Sequence, residues 1–178
     1  EILSATPAPE GAGPSDDAPL TFGWEEWVSL PNLGLPAIRA KVDTGARTSA
    51  LHAADIEVFG SASKPRVRFA VHPIPGREDL MIPCSAPIVD RRDITSSNGE
   101  TESRYVIASQ LSVGGQMWDI EITLTDRGTM SNRMLLGRQA LKDHVNIVPS
   151  ERFYQPELDF DVYHTPKMRK IAPNRALR

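Results

Sequence analysis

Asp43-Thr44-Gly45 closes an alternating apolar run of Ile38, Ala40 and Val42. These residue types at a strand end can support hydrolysis of an amide. Water is a poor nucleophile near neutrality, but two carboxylates held about 3 Å apart can share one proton; one then acts as base toward water and the other as acid toward the carbonyl. Gly45 admits a backbone turn that a side chain would obstruct, and the Thr44 hydroxyl can lock the turn against its neighbour. Asp43, Thr44 and Gly45 are therefore the candidate catalytic residues. The plain alternative is a turn at the end of an ordinary strand, since Asp and Gly are common turn residues. The chain supplies one such tripeptide, because Asp126-Arg127-Gly128 has the wrong middle residue. A carboxylate pair thus requires Asp43 to meet its own copy from a second chain across a two-fold axis.

Downstream, Met134-Leu135-Leu136-Gly137-Arg138-Gln139-Ala140-Leu141 places paired aliphatics before Gly-Arg and a short helical stretch, read as Leu135 to Lys142. The two segments together resemble the retroviral proteases, in which the apolar pair lies beneath the catalytic turn and Gly-Arg opens a helix. From Gly23-Trp24 to about Phe160 the chain resembles a bacterial retropepsin-like family, RimB-like, long catalogued as ATP-dependent zinc proteases and neighbouring RimK-type glutamate ligases. Ala40 through His52 carry this resemblance, extended by Asp90-Arg91-Arg92, Arg104 through Ile107, Ile120 through Thr125 and Arg133 through Arg138. The resemblance implies a single-domain aspartic peptidase working as a homodimer. For some members it implies removal of glutamates added to a protein tail.

One position departs from the retroviral pattern. Four residues after the aspartate, where viral enzymes carry an acid that pairs with the Arg of Gly-Arg, this chain has Arg47, while Arg138 is kept. Two guanidiniums near one cleft repel unless an anion lies between them, and Arg suits bidentate carboxylate binding. Ala46, Arg47, Thr48 and Arg138 are the expected substrate-binding residues, with Arg104 and Arg133 as weaker candidates. The expected partner is an acidic peptide or a glutamylated protein tail. The plainer alternative pairs Arg138 with Asp79, Asp90 or Asp93 and leaves Arg47 in solvent. A non-catalytic retropepsin-fold module that binds acidic peptides is the second functional reading.

The zinc label finds no support in the residues. His52, His72, His144 and His164 are scattered, and no His-Glu-x-x-His pair sets two imidazoles on one helix face. No Gly-rich loop followed by Lys and Ser or Thr is present either, so neither a metal nor any other cofactor is expected. Ser49, Ser96 and Ser97 lack any local sign of a triad. His52, on the strand leaving the turn, is read as structural or hydrogen-bonded.

The elements that must position these residues are short strands separated by turns. Trp24 to Leu30, Ile38 to Val42, Arg66 to His72, Arg104 to Leu111, Gln116 to Thr125 and Val145 to Val148 read as strands, with Gly114-Gly115 as a hairpin signal. In Gln116 to Thr125, Trp118, Ile120, Ile122 and Leu124 point inward, and Asp119, Glu121, Thr123 and Thr125 outward. The expected fold is all-β: a retropepsin-like closed or partly closed β-barrel with one short helix and a long flap. Pro73 to Gly99, the least regular stretch, stands where a flap would, or is a plain surface insertion.

The chain of 178 residues reads as a disordered arm over 1–20, a protease domain over 21–160 and a basic tail over 161–178. A net charge of −3 argues against nucleic-acid binding. No apolar run reaches the roughly 18 residues that cross a bilayer, so no membrane partner is expected. The lone Cys84 excludes an internal disulfide. The expected compartment is the cytoplasm, or the periplasm if a signal segment precedes Glu1.

Overall fold

The computed structural model of the chain describes residues 18–126 and 132–164. Most of the expected arm, the tail beyond 164, and Arg127 and Gly128 lie outside the described residues. The elements run β1 (Leu20–Phe22), β2 (Glu25–Leu30), β3 (Leu35–Val42), β4 (Ser49–His52), β5 (Ala54–Ser61), β6 (Lys64–Val71) and β7 (Ile82–Thr95). They continue as β8 (Thr101–Val113), β9 (Gln116–Thr125), β10 (Met134–Leu136), helix α1 (Arg138–Leu141) and β11 (Val145–Ile147). No described helix is long and apolar enough to cross a membrane.

The all-β expectation holds. Nine strands pair in the order β2-β3-β10-β4-β9-β8-β7-β6-β5, and β2 also meets β8 at Ser29 and Ser112. That one rung closes β2, β3, β10, β4, β9 and β8 into a hydrogen-bonded ring, from which β7, β6 and β5 extend. Ile38, Leu51, Ile107, Leu111, Ile122, Met134 and Leu136 fill the ring with no exposure to solvent. Removing such side chains from water supplies the main stabilising force.

Three expectations change. First, Leu135 and Leu136 belong to β10 rather than to the helix. β10 lies parallel to β3 and antiparallel to β4, and the helix begins only at Arg138. Second, the proline-rich stretch is largely a strand. Over 82–87, β7 pairs only with β6, and its pairing with β8 begins at Ile88. Pro83 and Pro87 share parity, so their missing N–H groups fall on one side of a strand that has only one partner there, where proline is tolerated. Beyond Ile88, β7 and β8 form a hairpin whose turn is tied by Ser96 and Glu100. Third, Thr123 and Thr125 are buried, although Asp119 and Glu121 beside them are exposed. Thr123 donates to the Ser49 carbonyl (3.0 Å) and Thr125 to Glu102 Oε2 (3.2 Å). Alternation identifies the face turned away from the apolar core, but not whether that face is open.

Beyond β11 the chain returns as a strap across β2 and β3. Glu26 has no solvent exposure. Its carboxylate accepts the N–H groups of Gly23 (2.7 Å), Tyr154 (2.9 Å) and Gln155 (2.9 Å). This supplies the partners that a buried charge needs. The described chain continues past residue 160. Phe160–His164 forms a 3-10 turn, Phe160 meets Trp27 edge-on, and the buried Tyr163 hydroxyl donates to the Ala37 carbonyl. Burial pushes the Tyr163 phenol well above its usual range.

Candidate active site

The loop between β3 and β4 begins at Asp43, and β10 is wedged between those two strands. The Asp43 N–H therefore lands on the Leu136 carbonyl (2.9 Å). Within the loop, the Gly45 N–H donates to Asp43 Oδ1 (3.0 Å) and the Ala46 N–H to the Asp43 carbonyl (3.2 Å). Gly45 has no positive φ. A Cβ there would come 3.1 Å from Asp43 Oδ1, so the glycine leaves room for the carboxylate rather than supplying an unusual backbone.

The next four carbonyls all turn to the Gly137–Gln139 step. Those of Thr44 and Gly45 accept from Arg138 Nη1 (3.0 and 3.1 Å), that of Ala46 from the Arg138 N–H (2.8 Å) and that of Arg47 from the Gln139 N–H (3.0 Å). Gly137 permits this approach, since a Cβ there would lie 2.6 Å from the Thr48 carbonyl carbon. Its N–H is held by Ser49 Oγ (3.1 Å).

This places Arg138 differently from expectation. It grips the turn's carbonyls, pairs with no acid among the described residues, and does not line the cleft. Asp90, one of its expected partners, instead holds Arg92, and Asp79 holds Arg77. Position 47 carries no acid, so the guanidinium of Arg138 turns to the carbonyl oxygens that remain.

A cleft of about 1090 Å³ opens beside the turn. Asp43, Gly45, Ala46, Arg47 and Thr48 form one wall, with Leu135 and Gln139. The other wall is Arg104, Thr123, Thr125 and the flap stretch Arg92 to Ser97. Ala46, Arg47, Thr48 and Arg104 thus line one cleft. Arg47 is exposed and has no acidic partner among the described residues. Thr44 is exposed and outside the lining. Arg133 lies away from the cleft, and its buried Nε has no hydrogen-bond partner.

Sequence reasoning missed the placement of Arg92. It sits directly opposite Arg104 in the β7–β8 ladder, a like-charge juxtaposition that ordinarily destabilises a sheet. Three carboxylates compensate it: Asp90 and Glu121 each lie 2.7 Å from Arg92, and Glu102 lies 2.8 Å from Arg104. The Arg91 N–H, with Arg92, holds Asp90 below the usual carboxylate range. Asp90-Arg91-Arg92 was visible in the sequence, but only strand register puts Arg92 beside Arg104.

His52 is 6% exposed, and neither ring nitrogen has a hydrogen-bond partner. Nε2 lies 3.9 Å from Asp126 Oδ1. Burial first, then the Arg133 charge, pushes the imidazole below its ordinary pKa; His72 adds to this, while Asp126 and Glu78 oppose it. Of the two expected roles, structural or hydrogen-bonded, the ring shows no hydrogen bond, and His52 is not among the residues that line the cleft. His144 stacks on Trp118 at 4.4 Å. Among the described residues, no three His, Cys, Asp or Glu side chains gather as metal ligands.

A family model described as RimB-like, retropepsin-like aspartic endopeptidase RimB, matches residues 21–158. The chain is similar to proteins named "Probable alpha-L-glutamate ligase": 49% identical over 137 residues to that of Shewanella pealeana, and 44% over 135 residues to that of Desulfotalea psychrophila. These matches cover 77% and 76% of this chain but 30% and 29% of the relatives, so the chain spans under a third of their length. A Legionella pneumophila protein of unknown function, Lpg0085, aligns at a TM-score of 0.64 and 25% identity, over 77% of this chain and 98% of that one.

Proposed function

Because this chain belongs to the RimB-like family of retropepsin-like aspartic endopeptidases, we propose that it hydrolyses peptide bonds in acidic, glutamate-rich chains through two Asp43 carboxylates joined by homodimerisation. The observation that carries this reading is the state of Asp43. Its Oδ1 is oriented by the Gly45 N–H, its Oδ2 has no donor among the described residues, and the residue lines the cleft.

One carboxylate of the pair takes a proton from water as the oxygen attacks the scissile carbonyl. The other gives its proton to the carbonyl oxygen. The resulting gem-diol collapses as the first carboxyl gives its proton to the nitrogen, the second carboxylate takes back a hydroxyl proton, and the C–N bond breaks. In the dimer the Thr44 hydroxyl would lock the turn against the neighbouring copy, and the exposure of Thr44 supports this. Arg47 supports the acidic preference, because it lines the cleft with no acid of its own to neutralise it. The relatives' name is consistent with this: a glutamate ligase would build the kind of chain that this site would shorten.

The test is incubation with synthetic poly-glutamate and mixed acidic peptides, with products read by mass spectrometry beside an Asp43→Asn control. Cleavage by the wild type alone supports the reading. Peptides that bind but stay intact would leave a binding module.

A further inference from the structure

We infer that Arg138 is a positioning residue for Asp43, aiming two peptide units of the turn so that their N–H groups serve the aspartate. In a trans peptide the C=O and N–H point in opposite directions. The Thr44 carbonyl and the Gly45 N–H belong to one such unit, and the Gly45 carbonyl and the Ala46 N–H to the next. Arg138 Nη1 holds both carbonyls, at 3.0 and 3.1 Å. The opposite ends of the same two units are the N–H groups that reach Asp43, one to Oδ1 at 3.0 Å and one to its carbonyl at 3.2 Å. One guanidinium nitrogen behind the turn therefore fixes both bonds in front of it.

The units flanking Gly45 are those most in need of such a hold, because glycine leaves the backbone its widest freedom. A flipped unit would withdraw its N–H from Asp43 and turn a carbonyl oxygen toward the cleft. Charge-assisted bonds from a guanidinium are well suited to oppose that flip. The docking of α1 against the turn does not depend on this side chain. The bonds from Arg138 to Ala46 and from Gln139 to Arg47 are made by backbone N–H groups, which a side-chain replacement does not remove.

The test compares Arg138→Met and Arg138→Lys with the wild type in the full chain. Amide hydrogen exchange reads the turn without requiring catalysis. Gly45 and Ala46 should exchange about tenfold faster in the Met variant and to an intermediate degree in the Lys variant, while the Arg138 and Gln139 amides keep their protection. The kinetic consequence rests on the peptidase reading: kcat should fall by about tenfold or more with KM within about twofold, and Lys should restore part of it. Unchanged Gly45 and Ala46 exchange, with only the melting temperature lowered, would make Arg138 merely structural and overturn the inference. A raised KM at constant kcat would overturn it too, by returning Arg138 to substrate binding. A wild type that cleaves nothing defeats the peptidase reading alone, and the exchange comparison still decides the role of Arg138.

Discussion

Behind one wall of the cleft, Thr44 to Arg47 commit four successive carbonyls to Arg138 and Gln139, and Gly137 is seated against backbone. On the other, the flap tip bonds within itself, through Ser96, Asn98, Gly99 and Glu100, and its stem carries the exposed pairs of Arg92 with Asp90 and Glu121. Surface ion pairs contribute about 0–1 kcal/mol each and weaken with salt. Backbone bonds at close approach leave no such latitude. The turn is thus tied by contacts that leave little room, and the β7–β8 hairpin by contacts that leave more.

Asp43→Asn should have the largest effect. It keeps the shape of the turn and removes the ionisable group, so hydrolysis should fall by about two or more orders of magnitude while the thermal melt stays close to wild type. Near-normal turnover in this variant would remove the turn's special status altogether.

Next comes a pair of glycine replacements, one on each wall. Gly137→Ala pushes a methyl into the Thr48 and Arg47 backbone and should cost roughly 1–3 kcal/mol or more, with loss of activity. Gly99→Ala meets nothing within 4 Å. Its φ of 87° disfavours alanine, at roughly 1 kcal/mol confined to the flap tip. Denaturant melts of both variants measure the contrast, and equal costs would erase it.

A smaller effect is expected from Arg47→Ala. Cleavage of glutamate-rich peptides should fall by about tenfold more than cleavage of neutral ones, and added salt should reproduce part of the loss. Equal reduction for both peptides would give Arg47 a structural role.

The smallest effect is in pH. His52, on the strand leaving the turn, has its pKa lowered below 6.5 in the folded chain. The unfolded chain therefore takes up the proton first. The His52 contribution is complete above pH 6.5 and is lost as pH falls through the lowered value. Asp90, exposed on β7, is depressed from 3.8, so its contribution persists until the pH falls below that value. Melting temperatures at pH 7.5 to 5 should decline less in His52→Gln than in the wild type. Parallel declines would show that His52 does not link the turn region to pH.

Much of this contrast was legible in advance, and the rest was not, for physical reasons. Asp43, its strand and the Gly137-Arg138 step are local signals, and β9 was readable to its ends from alternation. The flap strand was obscured because proline at one-sided pairing positions looks the same in sequence as proline in a loop. β5 was missed because its alternation is broken by a bulge near Ala54 and Glu57 and none of its residues is fully buried. Arg92 and Arg138 show the limit most clearly. Their side chains take directions set by strand register and by an absent acid, neither of which spacing alone encodes.

Glu26 bears on how this fold can travel between proteins. A carboxylate with no exposure, satisfied in part by the N–H groups of Tyr154 and Gln155, makes the strap a condition for burying it. Separating the strap from β2 would strip two N–H donors from this carboxylate and uncover the strand that the strap covers. A joint to any further chain is therefore tolerable only past the strap, not directly after the last strand. In evolutionary terms the transferable unit is the ring together with its belt, and a recombination point between them would leave Glu26 without two of its three donors.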